Sequence, residues 1–468
     1  MLKQTFKKLF ILILGILICF IFDITDLNKD LSFNEKIALR MVLLMIFLWL
    51  TELIPISITA LLPILFSPFF IEIQFVEIAK HYASPVVFLL LGGFIIAQGF
   101  ERSKLHQRIA MRTLLIFGDT KEKILICVIF STAFFSMWLS NTATCLLMLP
   151  IVSNILDNNF RKPEDFFFTR ILILSIAYAS SIGGMATPIG TIPNATMVSF
   201  LNENHDMEID FIEWFKFSFP LVLILLIFLS TFLKFKFKDR NNKIERKYIF
   251  KKYKDLGHIT RAEKLTICIL LTTLSLWIFK RYVNDFFQIS LTDSSIAIFG
   301  SILFFIVPLN KNSTILEFDW YKKIPWNILV LFGGGLSMAS LIMSTGLAEE
   351  LSKILNIINI FDLLVIIFLI SLVTSFMTEF TSNTATTFLL LPLLSTFAVN
   401  NQIDILLLTF PFVFAASCAF MMPIATPPNA IVYSSNKFKI SFMVSNGFFI
   451  NIISIIIISL YVFIFGKY

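Results

Sequence analysis

Ser140-Asn141-Thr142-Ala143-Thr144 and Ser382-Asn383-Thr384-Ala385-Thr386 are the residues of this chain whose types and spacing could do chemistry. Each pentapeptide offers hydroxyl and amide oxygens but no charge, and each opens an apolar run that reaches a proline, Pro150 or Pro392. Ser and Thr at such a place cap the helix that comes next. The free N–H groups and positive dipole end of that helix bind carboxylate or other anionic oxygen without a cationic side chain. Carbonyl, hydroxyl and amide oxygens on the other side of the turn suit a hard cation such as sodium. One copy alone would be explained by helix capping and small-residue packing. Two copies, with eight of eleven positions identical at an offset of 242, argue for a site.

A second pair of blocks runs from Gly183 to Asn194 and from Met422 to Asn429. Prolines interrupt both apolar runs, remove backbone donors and break the helix. Pro193-Asn194-Ala195 matches Pro428-Asn429-Ala430 at an offset of 235, and Gly92-Gly93 aligns with Gly334-Gly335 at 242. A proline kink would explain either break alone, whereas breaks at corresponding places in two halves point to a binding site. No Lys, Arg or His lies in any of the four blocks. A dianion buried there needs positive charge from elsewhere. Bound sodium ions and helix ends would supply it, a physical route to symport. Glu379, three residues before Ser382, is an acid within a hairpin arm. It reads equally as a functional intramembrane acid and as a structural hydrogen-bonding group.

The elements that position these blocks are membrane helices. The chain has 468 residues, 57% hydrophobic and 15% charged, against about 25% charged in ordinary soluble chains. Candidate spans cover 9–27, 37–53, 55–73, 85–100, 168–200, 214–233, 265–284, 293–309, 325–346, 404–435 and 443–465. Two further stretches, 123–157 and 360–398, carry the Ser-Asn-Thr clusters at mid-length. Each arm of the first is about 16 residues or about 24 Å, short for a hydrocarbon layer of about 30 Å. A re-entrant hairpin fits better than a crossing.

Loop charges agree with an N-terminus inside the cell. Segment 101–123 is then inside with six Lys and Arg, and 201–213 is outside with five acids and no Lys or Arg. The stretch from Lys234 to Lys264, holding twelve of the 38 Lys and Arg, also falls inside. These assignments hold only if 123–157 does not cross. The basic run is therefore read as topology and not as a nucleic-acid site. The five cysteines are dispersed without a CxxC pair, and the four histidines are isolated; neither zinc nor a disulfide framework is expected.

The resulting expectation is an all-α polytopic membrane protein. It has about eleven spans and two re-entrant hairpins in two inverted-topology repeats. Residues 1–36 form a first helix and outer loop, 37–233 the first repeat with hairpin 123–157, and 234–264 a basic cytoplasmic linker. Residues 265–468 form the second repeat with hairpin 360–398. The C-terminus falls outside. No convergent nucleophile and base occur at the blocks, so an enzyme is not expected.

With its paired SNT motifs, TPIGT-PN block and ATPPNA block, the chain closely resembles the divalent anion:sodium symporter family, which includes sodium/dicarboxylate cotransporters. The resemblance covers essentially everything after the first helix. It implies a bacterial inner-membrane homodimer in which a transport domain slides against a fixed scaffold, an elevator. The cargo would be a C4-dicarboxylate such as succinate, fumarate or malate, coupled to sodium, with no other cofactor. An exchanger or a sulfate, citrate or tartrate carrier of the same fold is the alternative. By the resemblance, substrate carboxylates meet Ser140, Asn141, Thr142, Ser382, Asn383, Thr384, Thr426 and Pro427. One sodium uses Ser136, Asn141 and the region of Gly190. A second uses Thr378, Thr381, Asn383 and Ala425, partly through carbonyls. Ile192 departs from the family's usual proline.

Overall fold

Apolar runs long enough to make helices, cut at prolines and polar motifs, set the order of elements. The computed structural model describes residues 31–71, 73–160, 162–237, 247–310 and 313–466, with Gly15 and Leu17. Of the expected helix at 9–27, only Gly15 and Leu17 are among the described residues.

Helix α1 (Phe33–Thr51) starts with a capping box between Ser32 and Glu35. Three short helical pieces come next over Ile56–Phe69 in place of the continuous span expected at 55–73, because Pro55, Pro63 and Pro68 interrupt the ladder. Then come α2 (Pro85–Arg102), α3 (Leu105–Phe117), α4 (Lys121–Ser136), α5 (Asn141–Asn159), α6 (Phe166–Gly184), α7 (Ile192–His205) and α8 (Phe211–Lys234). After α9 (Lys247–Asp255) the order continues with α10 (Arg261–Ile278), α11 (Lys280–Phe287), α12 (Asp293–Ile306) and α13 (Trp326–Ser344). It ends with α14 (Leu363–Met377), α15 (Asn383–Asn400), α16 (Ile405–Ala416), α17 (Pro427–Tyr433) and α18 (Ile440–Phe465). A two-stranded ribbon, Pro308–Asn310 with Ser313–Thr314, is the only strand pairing among the described residues.

Among the described residues, Phe75–Arg102, α6, α8, α13 and α18 are each long and apolar enough to cross a membrane alone. Helices α10 and α11 make a sixth if taken as one span across their 72° bend. Ile56–Phe69, α12, α14 and α16 are apolar but shorter. Fewer helices qualify singly than the eleven spans expected: prolines cut 55–73, α1 carries Glu35, Lys36 and Arg40, α10 and α11 are bent apart, α12 is short, and a break at a motif block shortens α16. The run expected at 168–200 is α6 and α7, with 185–191 unwound. The run at 404–435 is α16 and α17, with 417–426 unwound.

The stretches expected as hairpins are α4 with α5, turning at 137–140, and α14 with α15, turning at 378–382. Helix α6 packs against both arms of the first pair, and α16 packs against both arms of the second. Each broken helix thus delivers its unwound end to a hairpin tip.

Buried apolar side chains fall into two main sets. One draws on 100–249 and 366–462, joined by Ala339, with Trp214, Tyr178 and Phe412 among its fully buried members. The other draws on 37–96 and 269–348, joined by Ala195 and Phe388. The hairpins and broken helices belong mostly to the first set, and α1, α2, α12 and α13 to the second.

The basic stretch 234–264 is not a bare linker. Helix α9 lies within it and packs on α3 and α5, with Ile249 buried. Arg108 on α3 clamps the turn between α9 and α10. Its Nε donates to Glu263 at 2.6 Å, Nη1 to Gly257 O at 3.0 Å, and Nη2 to Leu256 O and His258 O at 3.1 Å each. Both side chains of the ion pair are nearly buried. Breaking such a pair costs about 3–5 kcal/mol. Arg108→Ala is expected to lower the melting temperature of the detergent-solubilised protein by several degrees, read by a thermal-shift assay. An unchanged melting temperature would mean the clamp holds nothing.

Candidate substrate and cation site

One cavity of about 540 Å³ collects all four motif blocks. Ser140, Asn141 and Thr142 line it from the first hairpin, and Ser382, Asn383 and Thr384 from the second. Gly190 and Thr191 come from the first unwound segment, and Ala425, Thr426 and Pro427 from the second. The starts of α5, α7, α15 and α17 therefore face one space. Their free N–H groups and dipole ends add partial positive charge to a lining without a motif cation. All eight expected substrate residues are brought together there.

The caps differ between halves. Ser140 Oγ accepts from Ala143 N at 3.3 Å, as expected for the cap of α5. Ser382 makes no such bond at the head of α15, contrary to the expected cap. Its backbone is extended, with ψ 131°, and the residue lines the cavity. Thr426 Oγ1 accepts from Asn429 N at 3.4 Å and caps α17.

Around one end of the Asn141 amide stand three oxygens: Ser136 Oγ, Ser180 O and Gly190 O. With its NH2 turned toward them, Asn141 donates at 2.7, 3.0 and 3.3 Å. With its carbonyl turned toward them, four oxygens face one another, an arrangement that a bound cation satisfies. Ser136, Asn141 and Gly190, the expected first sodium set, are thus gathered at one point, and Ser180, which no sequence motif marked, stands with them.

The second expected set is only partly assembled. Asn383 Oδ1 is buried without a hydrogen-bond partner, and Ala425 lines the same cavity. Thr378 Oγ1 instead donates to Ser375 O at 3.1 Å, and Thr381 Oγ1 donates to Met377 O at 2.9 Å. Thr381 borders a separate small cleft against Trp49 of α1. Both hydroxyls are thus turned into their own hairpin.

The asparagines of the two PNA motifs hold the unwound segments. Asn194 Nδ2 donates to Gly184 O at 3.1 Å and Thr187 O at 2.8 Å. Asn429 Nδ2 donates to Ala419 O at 2.9 Å and Met422 O at 3.0 Å. The acceptors are related by the same 235-residue offset as the motifs. Non-helical backbone at membrane depth needs such partners, and this role explains the recurrence of Asn where sequence reasoning saw only a break.

Glu379, fully buried, accepts from Met421 N at 2.8 Å, Met422 N at 2.9 Å and Asn451 Nδ2 at 2.7 Å. It supports the second unwound segment by hydrogen bonds and does not line the cavity.

Close approach at the first site requires glycine. A Cβ at Gly184 would strike Asn141 Oδ1 and crowd Gly190 O. Gly184→Ala is expected to cut transport at least about tenfold by displacing Asn141, with most protein still folded. Uptake per folded protein measures it, and wild-type uptake would show that the approach is slack.

Helical hairpins and broken helices that bring uncharged, oxygen-bearing motifs to one central cavity are the architecture of a multi-pass membrane transporter, not of an enzyme. The chain belongs to the sodium:sulfate symporter transmembrane-region family, whose model matches residues 3–468. It is 36% identical over 430 residues to the sodium-dependent dicarboxylate transporter SdcS of Staphylococcus saprophyticus, covering 89% of this chain and 83% of the relative. The SdcS of Staphylococcus aureus strain USA300 is 36% identical over 450 residues, covering 93% and 86%. Among solved structures, the YdaH transporter of Alcanivorax borkumensis shares the fold with a TM-score of 0.60 at 11% identity, over 93% of this chain and 99% of that one. MtrF of Neisseria gonorrhoeae does so with a TM-score of 0.58 at 12% identity, over 93% and 96%.

Proposed function

We propose that this protein is a sodium-coupled symporter of a divalent anion, a C4-dicarboxylate such as succinate, fumarate or malate. The convergence of four helix starts and both Ser-Asn-Thr tips on one cavity carries the reading. Helix ends attract the carboxylates, and the oxygens gathered at Asn141 suit a sodium ion beside them. With no motif cation present, the anion and the ion stabilise each other, so neither is held well alone. The names of the SdcS relatives point the same way.

Residues 37–233 and 265–468 act as two inverted units, with the basic stretch 234–264 cytoplasmic and the C-terminus outside a bacterial inner membrane. Transport is by an elevator within a homodimer. Support for relative sliding comes from the two separate apolar cores. Polar ties cross between them on the proposed outer side. His81 Nδ1 lies 2.8 Å from Glu203 Oε2, and Lys280 Nζ lies 3.0 Å from Asp210. Sliding breaks these ties, so the arrangement described is one end state.

Uptake of labelled succinate into proteoliposomes, with sodium or choline outside, tests the reading. Sodium is expected to stimulate uptake many-fold. Equal uptake in both salts would overturn sodium coupling, and sulfate or citrate outcompeting succinate would overturn the substrate class.

A further inference from the structure

The cavity extends beyond the motifs. A volume of about 540 Å³ falls in the range of drug-sized ligand sites, generous for a four-carbon dianion. The extra lining comes from α2 and from the chain entering α13: Gln98, Glu101, Lys323 and Asn327. Gln98 and Glu101 stand three residues apart, on one face of α2. Glu101, Lys323 and Asn327 are exposed at the rim, whereas Gln98 is only 7% exposed. Gln98 Oε1 is buried without a hydrogen-bond partner, an expensive state for an amide unless a passing group meets it. Lys323 is the only cationic residue in the lining, and it has no ion-pair partner among the described residues.

We propose that Lys323, Asn327 and Gln98 form a second, weaker anion subsite, between the motif site and the mouth of the cavity. The inference rests on the proposed anion transport. One carboxylate of the departing cargo is met by the Lys323 ammonium and the two amides while the rest of it leaves the helix starts. The lysine draws the dianion by charge without enclosing it, so the anion is not trapped. Glu101 on the same rim repels the cargo and keeps its stay short. Arg102, next to Glu101, bonds Glu317 and Asp319 and is not available for this task. The loop charges place this mouth on the cytoplasmic side.

The test measures the apparent KM for labelled succinate at each face in oriented proteoliposomes. Lys323→Gln is expected to raise the KM at the cytoplasmic face about fivefold, with the outer-face KM unmoved. Gln98→Leu moves it in the same direction, and Glu101→Gln lowers it. No change at the cytoplasmic face, or an equal rise at both faces, overturns the subsite.

A second readout does not depend on the identity of the cargo. Asn327→Cys is labelled with a thiol reagent and quantified by mass spectrometry in the presence of succinate, sulfate or citrate. Protection that vanishes in the Lys323→Gln background supports the subsite, even if the wild type carries no succinate and the dicarboxylate reading falls. Labelling slowed by none of the three anions overturns the subsite, even if sodium-dependent succinate uptake is intact.

Discussion

Asn141→Ala and Asn383→Ala are each expected to abolish sodium-dependent uptake, by about a hundredfold or more, with folded protein still in the membrane. The magnitude comes from the contacts. Hydrogen bonds to charged groups contribute about 1.5–3 kcal/mol, and the upper end of that range is about a hundredfold. The two variants differ in a second property. The Asn141 amide faces Ser136 Oγ, Ser180 O and Gly190 O, so its loss also strips partners from buried oxygens. Asn141→Ala should therefore lower the melting temperature. Asn383 Oδ1 has no partner to lose, so Asn383→Ala should melt as the wild type does while failing to transport. Uptake and thermal shift on the same preparations measure both. Normal sodium-dependent uptake by Asn383→Ala would remove this residue from the site.

What the sequence made legible was the part that repeats. Ser140 to Thr144 and Ser382 to Thr386 stand out because identical residues recur in apolar surroundings, and the structure brings both to one cavity. The breaks at 185–191 and 417–426 were legible because proline removes a donor wherever it stands. Contacts between distant segments that leave no pattern were not legible. Ser180 lies inside an ordinary apolar helix, and only its carbonyl faces Asn141. Lys323 looks like a loop lysine, and Gln98 like a stray polar residue on α2, until the packing places both on the cavity wall. Helix α9 was hidden because its charges dominate the basic stretch, while Ile249 and Tyr253 dock it on the core. The rotamers of Thr378 and Thr381 were not legible either: their hydroxyls turn to Ser375 O and Met377 O at the end of α14, which leaves only their backbone carbonyls for the expected cation.

Replacing Glu379 with glutamine is expected to reduce transport at least about tenfold and to lower the melting temperature by several degrees. At the 242-residue offset its counterpart is Met137, and at 235 the counterpart of Met422 is Thr187. In the first half the Thr187 hydroxyl donates to Met137 O at 2.6 Å. In the second half Met422 N donates to the Glu379 carboxylate at 2.9 Å. The same junction between hairpin tip and unwound segment is made both times, with side chain and backbone exchanged. Glu379 is therefore what holds 420–422 beside the second hairpin, and through them Ala425 and Thr426 at the cavity. Glutamine keeps the shape but offers one acceptor where two are needed, so an NH2 meets Met421 N or Met422 N. An unpaired buried donor costs about 1–3 kcal/mol. Asn451 donates to the same carboxylate and accepts from Phe420 N at 3.2 Å. Glu379→Gln and Asn451→Ala should accordingly lower stability by less together than the sum of their separate effects. A group that served only to bind sodium or carry a proton would behave otherwise. Its glutamine variant would melt normally and change only the sodium or pH dependence of uptake. That result would make Glu379 part of the transport chemistry and take away its role as the brace of the unwound segment.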